Sequence, residues 1–219
     1  MELRLEGEPM PRRSAADAAQ TRADILRAAR TLFAAQGYAV TTTGEIAEAA
    51  GVTAGALFYH FEGKPGLFRK VFDELEGELD EKVRASAGEE GGLEAFLRGF
   101  RAYLEFAKRR DFHRIVMLEG PVVLGEDEWH QIEERRGATT MMEGLESLVE
   151  TGVIEDRPRR PLGLLLLGAM SEAGIEVFRH GTRRDIDGLV DAMRYLLTLH
   201  LGNRPRSVAA PTGRTRKST

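Results

Sequence analysis

TTTGEIAEAAGVTAGALFYHF, residues 41–61, is the stretch that decides the fold. Thr42 followed three positions later by Glu45 has the form of a capping box, in which each side chain satisfies a free N–H of a helix start. The helix it opens is short, with Ile46, Ala47 and Ala50 on its inward side. Gly51 breaks that helix and Val52 plugs the turn; Thr53 then caps a second short helix that runs to about His60. Two short helices joined by a tight glycine-containing turn form a helix-turn-helix.

The second helix, AGALFYH, is thin where it starts, because Ala54, Gly55 and Ala56 carry almost no side chain. A thin helix end can enter a DNA major groove and approach the base edges, with backbone N–H groups facing nearby phosphate. Leu57 and Phe61 are spaced to anchor the helix from behind, and Tyr59 and His60 supply polar tips at its far end. Lys64 opens the next helix, with Pro65 at its first position, and is a cation placed to grip a backbone phosphate.

Outward from this stretch the pattern stays helical. Upstream, residues 15–36 carry Ile25, Leu26, Ala29, Leu32 and Phe33 as one apolar stripe, and Gly37 stops the helix in the manner of a left-handed cap. Downstream, helices are expected over 65–86, 93–108, 112–119 (ending before Gly120 and Pro121), 126–151, 161–179 and 184–201. No period-2 alternation or internal repeat occurs, so the fold class is all-α. The expected organisation is a disordered arm over 1–14 with Arg12 and Arg13, a helix-turn-helix domain over 15–64, a helical regulatory and dimerisation domain over 65–203, and a disordered basic tail over 204–219.

Composition narrows the function. The 219 residues contain no cysteine, which excludes disulfide scaffolds, thiolate metal sites and a cysteine nucleophile. Residues 10–70 hold 8 Lys/Arg against 5 Asp/Glu, a net +3, whereas residues 71–203 hold 17 against 27, a net −10. A polyanion is therefore attracted to the ends of the chain and repelled by its middle. Residues 1–20 lack the apolar run of a signal peptide, and the most apolar run, 162–170, is far short of the roughly 20 residues of a spanning helix. It reads as a buried helix of a cytoplasmic protein that does not enter a membrane. No nucleophile-elbow motif is present, and the histidines at 60, 113, 130, 180 and 200 show no i, i+4 metal pair. The expectation is no enzyme activity, no metal and no cofactor.

Residues 21–72, TRADILRAARTLFAAQGYAVTTTGEIAEAAGVTAGALFYHFEGKPGLFRKVF, resemble the TetR family of repressors, and RIVMLEGPVVLG, residues 114–125, resembles the regulatory domain of one branch of it. The resemblance implies a DNA-binding transcriptional repressor. In it Thr42, Thr43, Thr53, Tyr59, His60 and Lys64 touch double-stranded DNA, mostly its phosphates, while Gly55 and Ala56, with Ala54 beside them, face the groove. The family often has Tyr where this chain has Phe58, so either one phosphate contact is lost or Tyr59 replaces it. Family members are homodimers through their last two helices, here 161–179 and 184–201, which implies a near-palindromic operator with half-sites about 34–36 Å apart or a multiple of that.

The resemblance also implies release by a small-molecule effector. The middle helices carry Phe96, Phe100, Tyr103, Met117, Trp129, Met142 and Met170, which suit an apolar or aromatic ligand, with His113, Glu119 and His130 as polar anchors. The same side chains at helical spacing are what an ordinary core uses. The remaining alternative is a helical interaction module whose helix-turn-helix no longer reads DNA, which the steep salt dependence of true DNA binding would separate.

Overall fold

The computed structural model describes residues 15–199, without the side chains of residues 126, 130 and 133–136. The arm, the tail with its five basic residues, the end of the last expected helix and the His130 side chain lie outside the described residues. All regular structure described is helical: α1 (Ala15–Gln36), α2 (Thr43–Ala49), α3 (Ala54–His60), α4 (Gly63–Ala87), α5 (Gly92–Ala107), α6 (Arg110–Phe112), a π-helical segment (His113–Glu119), α7 (Gly120–Leu124), α8 (Glu126–Glu150), α9 (Arg159–His180) and α10 (Arg183–Thr198).

Two apolar cores organise these helices. The first joins α1, α2 and α3 to the first half of α4 through Ile25, Phe33, Ile46, Leu57, Phe68 and Phe72, all shielded from solvent. It continues without a break into Phe106, Phe112, Ile115, Val116 and Ile132. The division expected at 64/65 is therefore not a packing boundary: it falls in the first turn of α4, and the first core crosses it. The second core packs α5, α8, α9 and α10 through Leu97, Leu104, Leu145, Leu148, Val177, Val190 and Met193.

The helix expected over 112–119 does not end before Gly120 and Pro121. It runs on as a π-helical segment into α7, where Pro121 stands in the first turn and needs no partner for the N–H it lacks. Gly120 is required here for space rather than as a stop, since a Cβ on it would stand 2.6 Å from the Phe72 ring.

Single π-helical turns occur frequently at functional places in helices, and this one fastens the middle of the chain to the loop after α1. Arg114 donates to the carbonyls of Ala35 (3.1 Å) and Gln36 (3.0 Å), and Arg110 donates to the same Ala35 carbonyl at 3.2 Å. Glu119 accepts from the Tyr38 backbone N–H at 2.9 Å and pairs with Arg114. These groups answer carbonyls that every helix C-terminus leaves unpaired. Gly37 has φ +92°, a conformation that favours glycine, and a Cβ there would meet Glu119 Oε1 at 2.5 Å. Beside this fastening, Arg30 of α1 and Arg109 share Glu78 of α4 and Asp111 of α6. Arg30 above all holds the Glu78 carboxyl below the usual range; burial pushes Asp111 up, but Arg109 and Arg30 outweigh it and its carboxyl also lies low.

Candidate nucleic-acid interface

The α2–turn–α3 unit is built as its residue types require. Thr42 Oγ1 accepts from the Glu45 N–H at 3.2 Å, and the Glu45 carboxylate accepts from the Thr42 N–H at 2.8 Å. The Thr42 N–H first, and then the Thr42 hydroxyl, which donates to Glu45 Oε2 at 2.9 Å, hold the Glu45 carboxyl below its ordinary range. Gly51 takes φ +67°, and the Val52 N–H closes the turn onto the Ala47 carbonyl at 2.9 Å. Thr53 Oγ1 accepts from the Ala56 N–H at 3.2 Å and caps α3.

Leu57 is wholly buried and fixes which side of α3 faces inward, with Phe61 nearly buried beyond it. At 100° per residue, Gly55 and Tyr59 then stand opposite Leu57 at the centre of the outward face. Ala54 and Gly55 are exposed, Ala56 and His60 half-buried, and Phe58 and Tyr59 are 57% and 83% exposed. The rings of Tyr59 and His60 meet edge-on with centroids 5.1 Å apart. Thr42 and Thr53 are exposed at the starts of their helices, and Thr43 is half-buried beside Thr42. Thr42, Thr43, Thr53, Ala54, Gly55, Ala56, Tyr59 and His60 thus lie on the two short helices and their caps.

Lys64 stands at the loop between α1 and α2. Its ammonium donates to the carbonyls of Tyr38 (2.9 Å), Thr41 (2.9 Å) and Ala39 (3.4 Å), and stands 4.3 Å from the Tyr38 ring centre. Its three protons face the loop between α1 and α2, so in this geometry Lys64 positions the reading unit. Hydrogen bonds to a charged group are each worth about 1.5–3 kcal/mol. Lys64→Met is expected to lower the stability of the fold by about 1–3 kcal/mol, since a half-exposed site lets water replace part of the loss. An unchanged urea midpoint would contradict this role.

Sequence reasoning missed that loop. Thr41 is completely buried, with its hydroxyl on the Gly37 carbonyl at 2.7 Å. Its other partners, Lys64, Arg114 and Glu119, come from distant parts of the chain, where no local spacing signals them.

Among the described residues, those expected to line an effector pocket are divided between the two cores. Met117 and Trp129 pack against the first core, whereas Phe96, Phe100, Tyr103, Met142 and Met170 belong to the second. Several of them fill notches left by glycines: Phe96 against Gly144, Tyr103 against Gly174, Trp129 against Gly120 and Met142 against Gly163. Two open clefts among the described residues, about 280 and 220 Å³, lie against α1 and include none of the expected lining residues. Glu119 accepts from the Tyr38 N–H and from Arg114.

His113 lies at the seam of the two cores. It is 5% exposed and stacks on Phe178 of α9 at 3.5 Å and 8°, with Nδ1 buried and without a hydrogen-bond partner. Burial, then the charge of Arg179, push its imidazole below the ordinary histidine range. The unfolded chain therefore protonates first as pH falls below about 6.5, and stability declines from there down to the lower folded pKa. His113→Phe keeps an aromatic ring on Phe178 and removes the titration. Between about pH 7.5 and about pH 5.5 the urea midpoint of the parent is expected to fall more than that of the variant. Parallel profiles would contradict the assignment.

The last two helices leave apolar side chains uncovered. Leu164 and Leu165 of α9 are each 72% exposed, and Tyr195, Leu196 and Leu199 stand exposed on and just after α10. The 162–170 run is therefore only partly buried, contrary to its expected place inside a core. By length and composition alone α9 is apolar enough to cross a membrane, with a mean hydropathy of 1.4 and 28% of that window buried.

Known proteins carry the same arrangement. The family described as bacterial regulatory proteins, tetR family, matches residues 25–71, and the tetracyclin repressor-like C-terminal domain matches residues 93–199. A TetR-family transcriptional regulator from Pectobacterium atrosepticum, of known crystal structure, is 30% identical; the match covers 84% of this chain and 96% of that one, with a TM-score of 0.67. The HTH-type transcriptional regulator TtgR of Pseudomonas putida is 43% identical over 81 residues, 37% of this chain and 39% of TtgR. The probable acrEF/envCD operon repressor of Escherichia coli is 41% identical over 63 residues, 29% of each chain. The alignments to these two curated relatives thus span well under half of their length.

Proposed function

Because the chain belongs to the TetR family of bacterial transcriptional regulators, a family of regulators and not of enzymes, we propose that it is a cytoplasmic repressor whose homodimer binds a palindromic operator in double-stranded DNA. The observation that carries this reading is the outward face of α3: small residues at 54–56 and an exposed Tyr59, on a helix anchored from behind by Leu57. Thr42, Thr43 and Thr53 stand at helix starts, where hydroxyls and backbone N–H groups suit phosphate. Lys64 supports the unit from behind.

The apolar side chains left open on α9 and α10 are what a second copy would cover. Gly168 and Gly188 have no neighbour near the place of a Cβ, so both helices offer room for close approach. This reading explains the hydropathy of α9 by subunit pairing and not by a membrane.

Release would come from an apolar or aromatic effector that enters the second core by displacing side chains from their glycine notches. His113 offers the unsatisfied polar atom, and the π-helical segment that carries it also holds the loop before α2. A movement there reaches the reading unit directly. The effector must bind the free and DNA-bound states unequally.

The test is selection from a randomised duplex library with the full chain. The expected result is a two-fold symmetric motif with half-site centres about 10 base pairs apart or a multiple. Retention of no duplex, or of asymmetric sequences only, would overturn the reading.

A further inference from the structure

We infer that this protein reads its operator through the 5-methyl groups of thymine, using the apolar surface of α3 in place of charged side chains. The inference rests on the DNA-binding reading above and specifies its chemistry. The groups available on the exposed side of α3 are few. Ala54, Gly55 and Ala56 offer a methyl, a bare backbone and a methyl; Phe58 offers a phenyl ring that is 57% exposed; Tyr59 offers a phenol that is 83% exposed; and the half-buried His60 offers an imidazole at the far end. No Arg, Lys, Asn, Gln, Asp or Glu occurs between Thr53 and Phe61. The bidentate pairs that identify guanine and adenine need Arg, Lys, Asn or Gln, and cytosine is marked by Asp or Glu. α3 can form none of these pairs. What alanine, threonine methyl and phenylalanine do match in the major groove is the thymine methyl.

Gly55 and Tyr59 are one turn apart and share the outward face of α3. A Cβ on Gly55 would find nothing closer than Thr53 Oγ1 at 3.9 Å, so the space is open in the protein itself. Phe58 adds a second exposed apolar surface towards the start of α4, its Cε1 3.7 Å from the place a Cβ on Gly63 would take. A methyl seated there leaves water on both sides, and burying one carbon of this kind is worth about a fourfold change in affinity.

Deoxyuridine differs from thymidine by that methyl alone. In a duplex obtained by the library selection, each thymine is replaced singly by deoxyuridine and binding is measured at two salt concentrations. At two or more thymines in each half-site, the expected loss is about fourfold, and it is the same at both salts although overall affinity falls with salt. Phe58→Ala is expected to shrink the loss at the thymine it touches, because the partner of the methyl has gone. A selected duplex that binds equally well with every thymine replaced would overturn the inference while leaving the DNA-binding reading standing. A selection that retains no duplex would overturn both.

Discussion

Leu165→Glu is expected to convert the proposed homodimer to a monomer and to cut affinity for the proposed operator by at least about 100-fold, the gain that linking two half-site contacts supplies. In a single chain Leu165 is 72% exposed, so the change costs the protomer little, of the order of 0.5 kcal/mol. In a symmetric dimer each copy would place an unpaired carboxylate in an apolar contact, where desolvation of a charge is heavily penalised. Sedimentation and duplex binding measured on the same sample check both halves of the expectation. A variant that stays dimeric and binds like the parent would remove α9 from the interface and reopen the question of what its leucines meet.

Phe68→Ala is expected to cost about 3–5 kcal/mol, the range for deleting a buried aromatic ring. Phe68 is fully buried at the centre of an aromatic group in which its ring lies 5.4 Å from Phe33 and 5.1 Å from Tyr38, both approached edge-on. Edge-to-face pairs of this kind add to the burial itself. The ring ties α4 to α1 and to the loop that Lys64 and Glu119 also hold, so its loss loosens the footing of α2 and α3. Phe68→Leu keeps most of the volume and is expected to lose clearly less. Urea unfolding of both variants gives the comparison; equal midpoints would place the load elsewhere.

Much of this arrangement was legible in the chain, and the reason is that its signals are local. The Thr42–Glu45 box, the Thr53 cap and the positive-φ Gly37 and Gly51 each act within a few residues, and each is found where its residue type requires. Apart from the helix expected over 112–119, which runs on to Leu124, the helices downstream follow their apolar stripes to within a few residues of the expected ends that lie among the described residues. What was not legible depends on partners far along the chain. The acceptors of Lys64, the carbonyls of residues 38, 39 and 41, lie more than twenty positions away, where no local spacing signals them. The bond from the Tyr38 N–H to Glu119 spans 81 positions, and nothing near Glu119 signals it. The π-helical segment carries no periodic mark that separates it from an α-helix. The aromatic and methionine side chains were placed on the correct helices, but periodicity does not say whether such residues surround a space or fill it. Here Phe96, Tyr103, Trp129 and Met142 fill notches at glycines of neighbouring helices.

The central claim is that α3 brings this protein to duplex DNA. The most direct measurement is equilibrium binding of the full chain to a duplex from upstream of its own coding region, at two salt concentrations, against a scrambled competitor. The account predicts binding that survives the competitor, weakens steeply as salt rises through counterion release, and is lost in Tyr59→Ala. Binding that ignores salt, or that Tyr59→Ala leaves intact, would contradict it.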